Sequence, residues 1–297
     1  MSMSMSMSMS MSMGLGAGYV MGGAVPPELG PHPLTLDFSP DPMHPEFPRD
    51  FVDPIPAYFD DKLWDSGLRA LLALREFAEH SAQWMNIPLP ADVLTWQVDP
   101  NFVRLEIERL RSFMENDRAN YMPEIIAQHE NAPFYWISLL GMTNGSKPAS
   151  LKLMQMAMRI GEMAAIHFKS VYRRPRPSAI CPGLAPPFGP PGHPAFPSGH
   201  ALQAYLITES LMEVTRPDKS TYLPDPVSTY KKQLKWLARR VARNRERAGL
   251  HYESDSAAGQ WIGEYLFDHL LNKPNGISPT FYAAVRDAKK EWGFAPP

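Results

Sequence analysis

The sequence predicts an all-α fold in a single domain, and three observations lead there. Apolar residues recur at helical spacing in several segments, no segment alternates apolar and polar residues as a strand does, and no repeat of fixed period occurs. With 297 residues, 44% of them hydrophobic, the chain can bury a substantial core. Its 29 basic and 31 acidic side chains leave a formal charge of -2. That balance offers no global attraction to nucleic acid or to an anionic membrane, so any anion site must be a local cluster. The single cysteine, Cys181, excludes an intrachain disulfide and a cysteine-rich metal site, in keeping with a reducing compartment.

The first thirteen residues alternate Met and Ser, a low-complexity run that carries no fold information. Gly14 to Val25 is apolar but glycine-rich, and no Lys or Arg precedes Arg49. The basic start of a signal peptide is therefore missing, and a soluble, cytoplasmic protein is the expectation. No stretch reaches the roughly 18 uninterrupted apolar residues of a membrane-spanning helix. Prolines recur from Pro26 to Pro56, which removes backbone donors and reads as an extended arm. The expected organisation is an arm over 1–56, suited to a subunit contact in an oligomer, and a helical catalytic domain over 57–297.

Helical patterning begins near Tyr58, with Leu63, Leu68, Leu71, Leu72, Leu74 and Phe77 as the apolar face, and breaks at Pro88 and Pro90. A second helix is expected from Asn101 to Asn116 with the stripe Phe102, Leu105, Leu110 and Phe113. A third is expected from Pro123 to Met142, carrying Ile125, Ile126, Phe134, Trp136, Ile137, Leu139 and Leu140. From Pro148 to Tyr172 runs the clearest helix, with Leu151, Met154, Met158, Ala165 and Phe168 along one face. It ends in Lys169, Arg173, Arg174 and Arg176 around Pro175 and Pro177, more cations than helix capping requires.

A proline- and glycine-rich loop from Pro182 to Pro197 leads to a Pro197-Ser198-Gly199-His200 turn before a helix that reaches about Val214. A Ser-Gly turn entering a helix directs unpaired N–H groups at whatever lies in front, which suits an anion, although Ser198 is also an ordinary N-cap. Pro217, Pro224 and Pro226 mark a surface connection. Val227 to Ala248 is expected as a helix with Leu234, Leu237 and Val241 inside, its many cations mostly on a solvated face, and Gly249 as its stop. His251 and Asp255 open the next helix, which continues through Ala257, Ala258, Ile262, Tyr265, Leu266 and Leu270. A last one spans Pro279 to Trp292. The four-residue offset of His251 and Asp255 is one helical turn, which lets the carboxylate fix one ring nitrogen and leaves the other as a nucleophile.

Three constellations thus stand in order: Lys169 with Arg176-Pro177, then Pro197-Ser198-Gly199-His200, then Arg245 with His251 and Asp255. Together they resemble the signature Lys-x6-Arg-Pro, Pro-Ser-Gly-His and Ser-Arg-x5-His-x3-Asp of the superfamily of type 2 phosphatidic acid phosphatases, bacterial non-specific acid phosphatases and vanadium-dependent haloperoxidases. The likeness covers Lys169 to Asp255, and Asn244 stands where the third motif has serine. The physical chemistry of these residues agrees with it. Lys169, Arg176 and Arg245, with the Ser198 hydroxyl and the N–H near Gly199, are the donors that a tetrahedral or trigonal-bipyramidal oxyanion needs.

The resemblance implies a helical bundle and a two-step phosphoryl transfer. In it His251 attacks phosphorus, Asp255 orients it, His200 protonates the leaving oxygen, and water then hydrolyses the phosphohistidine. This hydrolysis of phosphate esters requires no cofactor. The alternative that the same likeness implies is a haloperoxidase in which vanadate is held on His251 and peroxide oxidises bromide or iodide, with His193, seven residues before His200, beside the halide or the vanadate. A third alternative is a phosphate-binding module without turnover. The gap of 44 residues between His200 and Arg245 is short, as in the phosphatase branch, and the phosphohydrolase is the expected activity.

Overall fold

The computed structural model describes residues 64–217 and 227–294. The expected N-terminal arm, the start of the first helix near Tyr58 and most of the Pro217–Pro226 connection lie outside these residues. Within them the protein is all-α, with no strand.

The first helix, α1, is Ser66–Glu79, capped by Asp65, whose side chain accepts from the Leu68 N–H at 2.9 Å. Its inward face differs from the expectation. Ala70, Ala73 and Phe77 are buried, whereas Leu68 and Leu71 are 56% and 51% exposed. The small residues face inward because α1 packs closely against the long helix described below. A short α2, Ser81–Trp84, and a 3-10 turn, Ala91–Gln97, follow the Phe77–Trp84 ring stack.

Helix α3 is Pro100–Asn116, with Asp99 as cap. Leu110 is buried as expected and Leu105 is exposed, while Glu106 and Ile107 take the inward position. The expected helix over Pro123 to Met142 is two helices, α4 at Arg118–Asn131 and α5 at Phe134–Leu140. Pro133 separates them because it has no N–H for the ladder and disfavours helix in the residue before it. Trp136 and Ile125 are core, but Ile126, Phe134 and Leu139 are exposed.

Helix α6, Pro148–Tyr172, has the expected bounds, and its Leu151, Met154, Met158, Ala165 and Phe168 are all buried. A one-turn α7, Pro177–Ile180, and a 3-10 turn, Pro182–Leu184, lead into the loop that reaches α8, Gly199–Val214. Helix α8 is the axis of the molecule. It is buried on nearly every side, with α6 against it and, later in the chain, α9 (Lys231–Arg247), α10 (Glu253–Tyr265) and α11 (Pro279–Glu291). An all-round apolar sequence produces a helix of this kind. Two of its buried polar side chains are satisfied by neighbouring helices: Trp136 Nε1 donates to Thr208 Oγ1 at 3.0 Å, and Gln203 Nε2 to the Met158 carbonyl at 3.0 Å.

Helix α10 crosses α8 at backbone contact. A Cβ on Gly259 would stand 2.6 Å from the Ser198 carbonyl oxygen, and one on Gly263 would stand 2.7 Å from that of Leu202. These two glycines bring the start of α10 against the start of α8, and with it Asp255 against Ser198. The chain then passes through a π-helical turn, Leu266–Leu271.

The cations of α9 form a solvated face only in part. Arg245 is buried, and Arg240 and Arg247 pair with Glu124 and Asp117 at 2.6 and 3.2 Å. Gly249 stops the helix with a φ of 73°, in the left-handed region.

Candidate functional site

The site lies where the segment after α6, the loop before α8 and the α9–α10 connection meet. Arg173 closes α6 in the left-handed conformation, and the next residues read Arg174-Pro175-Arg176-Pro177. A residue before proline favours extended backbone, as Arg176 shows with φ -69° and ψ 150°, and Arg174 and Arg176, two apart, project to the same side. That side faces the start of α10.

Arg176 is buried and makes the densest set of contacts. Its Nε donates to the His193 carbonyl at 3.0 Å, and its Nη1 donates to the Leu250 carbonyl at 2.7 Å and lies 3.0 Å from His251 Nε2. Its Nη2 lies 2.9 Å from His193 Nδ1. Because a guanidinium can only donate, both ring nitrogens accept, and the donor role falls to the opposite nitrogen of each ring. For His251 that is Nδ1, 3.2 Å from Asp255 Oδ2.

Asp255 is completely buried in the first turn of α10, where the helix dipole favours a carboxylate. Its Oδ2 also accepts from the Tyr252 N–H at 3.1 Å. His251 itself precedes the helix by two residues, in the connection from Ala248 to Tyr252. The expected contact is therefore made across the helix start, not along one helical turn. Neither residue is a surface pair: His251 is 4% exposed.

His193, the loop histidine, lies in the cluster. Burial first, then Lys169 and Arg176, push its pKa down to about 3. His200, in the first turn of α8, is buried with an unpartnered Nε2. Burial, then Arg245 and His251, hold its pKa well below the usual histidine range. His251 is likewise held well below it, by burial and then by Arg176 and Lys169. All three imidazoles are neutral at neutral pH.

Arg245 is 1% exposed, and one of its nitrogens, Nη2, donates to the Ile125 carbonyl at 2.8 Å. Its Nε and Nη1 are buried without a partner, and burial lowers its pKa to about 10. Lys169, Arg176 and Arg245 are thus buried together with these histidines and the Asp255 carboxylate, and burial, then Arg176, hold the Lys169 pKa well below its usual range. Excess buried positive charge of this sort is costly unless an anion balances it.

Two expected anion ligands are engaged otherwise. Lys169 donates to the carbonyls of Pro194, Ala195 and Pro197 at 2.8, 2.8 and 2.6 Å, so its ammonium ties the loop before α8 to the end of α6. The Ser198 hydroxyl accepts from the Ala201 N–H at 3.3 Å, an N-cap, and its own N–H donates to the Asp255 carbonyl at 2.9 Å. Gly199 is the first residue of α8, where the backbone N–H groups lack helical partners.

Asn244 is fully buried and joins α9 to α4, donating to Gln128 Oε1 at 3.0 Å and accepting from Arg247 Nη1 at 2.9 Å. These bonds hold the α9 backbone beside Arg245, the next residue in the sequence.

Two groups at the site escaped the sequence reading. His129 on α4 stacks on Phe188 with ring centroids 4.1 Å apart, its Nδ1 is buried without a partner, and it lies close enough to Arg245 and His200 for their charges to couple. Glu106 on α3 pairs with Arg174 at 2.6 Å. A charged residue at position 106 in the stripe Val103, Ile107, Leu110 was the available signal for it. An apolar cavity of about 710 Å³ lined by Tyr135, Leu139, Lys232, Trp236 and Leu237 contains none of these groups. Among the described residues no His, Cys, Asp and Glu cluster suits a metal ion, and no helix is long and apolar enough to cross a membrane. The chain matches no family model and no curated protein.

Proposed function

We propose that the protein hydrolyses phosphate esters through a phosphohistidine on His251. The observation that carries this reading is the neutral His251 ring, pinned at Nδ1 by Asp255 and offering Nε2 toward Arg176, in a pocket with surplus buried positive charge. A nucleophile needs a free lone pair, and a phosphoryl group that takes the Arg176 donors releases the one on Nε2. Nε2 then forms a bond to phosphorus as the bond to the ester oxygen breaks, and His200 supplies the proton to that oxygen. Water attacks phosphorus in the second step and passes a proton to His200 as the bond from phosphorus to Nε2 breaks, which releases phosphate and regenerates both rings. Arg176 and the two unpartnered nitrogens of Arg245 are the donors for the oxygens of the trigonal-bipyramidal transition state.

His200 must carry a proton to act as an acid, and in the free protein its pKa is depressed. A bound dianion reverses that, because an opposite charge nearby favours the imidazolium. Substrate binding therefore supplies the proton donor as well as the electrophile.

The second reading is a vanadate-dependent haloperoxidase. The contact of His193 with Arg176 favours it, since the imidazole is part of the cluster and its Nε2 is buried without a partner. Vanadate would sit on the same donors as the phosphoryl group, with His251 as its ligand, and would supply peroxide activation. The test is a paired panel on the purified protein, phosphomonoesters in one arm and vanadate, peroxide and bromide or iodide in the other. Phosphate release with negligible halogenation is expected. Halogenation at many turnovers per minute without phosphate release would overturn the hydrolase reading.

A further inference from the structure

We infer that Arg174 is a positioning residue for the reaction, acting through Asp255 on His251 with Glu106 as its anchor. The inference rests on the reading of His251 as the reacting group. Arg174 is 2% exposed, yet it contacts neither His251 nor the Arg245 side of the site. Its Nη1 donates to Asp255 Oδ1 and to Ser254 Oγ, both at 2.7 Å, and its Nη2 donates to Glu106 Oε2 at 2.6 Å. The other Glu106 oxygen accepts from the Ser254 N–H at 2.8 Å and from its hydroxyl at 2.7 Å. The hydroxyl therefore accepts from Arg174 and donates to Glu106, which closes a buried ring of three residues, with Asp255 as a branch from Arg174. The guanidinium carbon lies 3.6 Å from the Tyr252 ring centroid and 4.7 Å from that of Trp96, so its plane is held by two aromatic rings.

This arrangement assigns a separate task to each oxygen of Asp255. Oδ1 belongs to Arg174, and Oδ2 is left for the Tyr252 N–H and His251 Nδ1. A carboxylate bound on both sides cannot rotate away from the imidazole. It thereby maintains the His251 tautomer with the proton on Nδ1 and the lone pair on Nε2. Glu106, on α3, fixes Arg174 from outside and makes the catalytic end of α10 depend on the packing of α3. Mere structural filling of the space would not require the charge.

The test compares Arg174→Met, which keeps an unbranched apolar stem, with Arg174→Lys, which keeps the charge, and with Glu106→Gln. Two readouts are taken on the full chain once near-UV circular dichroism shows native packing. In nitrogen-15 histidine NMR, with the resonance assigned through His251→Asn, the wild type is expected to show the Nδ1-protonated neutral tautomer. Arg174→Met is expected to show a mixture of the two tautomers. With para-nitrophenyl phosphate, Arg174→Met is expected to lose about tenfold or more in kcat with KM within about threefold, and Arg174→Lys to lie between it and the wild type. If Arg174→Met does not fold, Arg174→Lys and Glu106→Gln carry the test, each with a several-fold loss in kcat at nearly constant KM. A folded Arg174→Met with the wild-type tautomer and kcat would overturn the inference, as would a loss confined to KM in all folded variants. A wild type that hydrolyses no phosphate ester would contradict the hydrolase reading instead, and the tautomer measurement would still decide whether Arg174 positions His251.

Discussion

Arg176 and His251 meet edge to edge, with Nη1 of the guanidinium 3.0 Å from Nε2 of the imidazole. One of the two groups must accept, and only the imidazole can. The proposed nucleophilic lone pair and the proposed anion donor therefore face each other directly. On the proposed function, an oxyanion that takes the Arg176 donors would lie beside Nε2.

Replacing His251 by alanine should consequently remove turnover with little loss of fold. Loss of a covalent nucleophile lowers kcat by about a thousandfold or more. Steady-state kinetics on His251→Ala with a native circular dichroism spectrum is the check. Retention of a tenth of wild-type activity would mean that another group attacks.

Orthovanadate and inorganic phosphate should bind competitively and raise the melting temperature. Binding to the native state alone adds about 2.7 kcal/mol at a ligand concentration one hundred times the dissociation constant. Arg245→Met removes the two unpartnered nitrogens and should weaken the vanadate shift at least severalfold. No shift in the wild type at millimolar vanadate, by differential scanning calorimetry, would contradict the shared oxyanion site.

Below about pH 6.5 the buried histidines and two buried carboxylates act in opposite directions, because burial pushes Glu209 and Glu246 up to about 7 and their protonation favours the folded state. His193 is pushed from the usual 6.5 to about 3, and His200 and His251 are also held well below 6.5, by burial in each case. Between the unfolded and folded values the unfolded chain binds more protons, so the contribution of these neutral rings is fully present above about pH 6.5. It is lost progressively as the pH falls toward the folded values. With the two carboxylates removed in a Glu209→Gln/Glu246→Gln background, urea midpoints should therefore be lower at pH 5 than at pH 7.5, and added phosphate should narrow the difference by raising the folded pKa values of the histidines. An equal or higher midpoint at pH 5 in that background would show that these rings are already charged in the native state.

The approach of α10 to α8 should tolerate no side chain at Gly259. An added Cβ meets the Ser198 carbonyl at 2.6 Å and the Leu202 nitrogen at 2.9 Å, both of them backbone atoms. Gly259→Ala should cost about 1–3 kcal/mol by urea denaturation, the usual range for overpacking, and reduce activity by moving Asp255. Gly183→Ala, with open space around its Cβ, should leave both unchanged. Equal stability of Gly259→Ala and the wild type would mean that the two helices slide apart freely.

The candidate site was legible where its residues are close in sequence. The Arg-Pro pair, the Ser-Gly turn and the His251–Asp255 spacing each announce a local geometry, and the structure brings all three to the ends of α6, α8 and α9. Glu106 was not legible, because its partners Ser254 and Arg174 are 148 and 68 residues away and only tertiary packing joins them. The uses of Lys169 and Ser198 also depended on backbone placement, which decides that three carbonyls face the ammonium. In the fold, α6 and α8 were readable from long apolar patterns. The inward face of α1 was not, because Ala70 and Ala73 mark close packing that an apolar count assigns to the larger leucines beside them.

The central claim is that a phosphoryl group passes through His251. Rapid acid-free quenching of the protein during turnover of a phosphorus-32-labelled phosphomonoester, followed by peptide mapping, tests it most directly. The account predicts an alkali-stable, acid-labile label on the peptide carrying His251, absent from His251→Ala and lost when the wild type is left to exhaust its substrate. Steady release of phosphate with no labelled protein at any quench time, or a label on another residue, would contradict it.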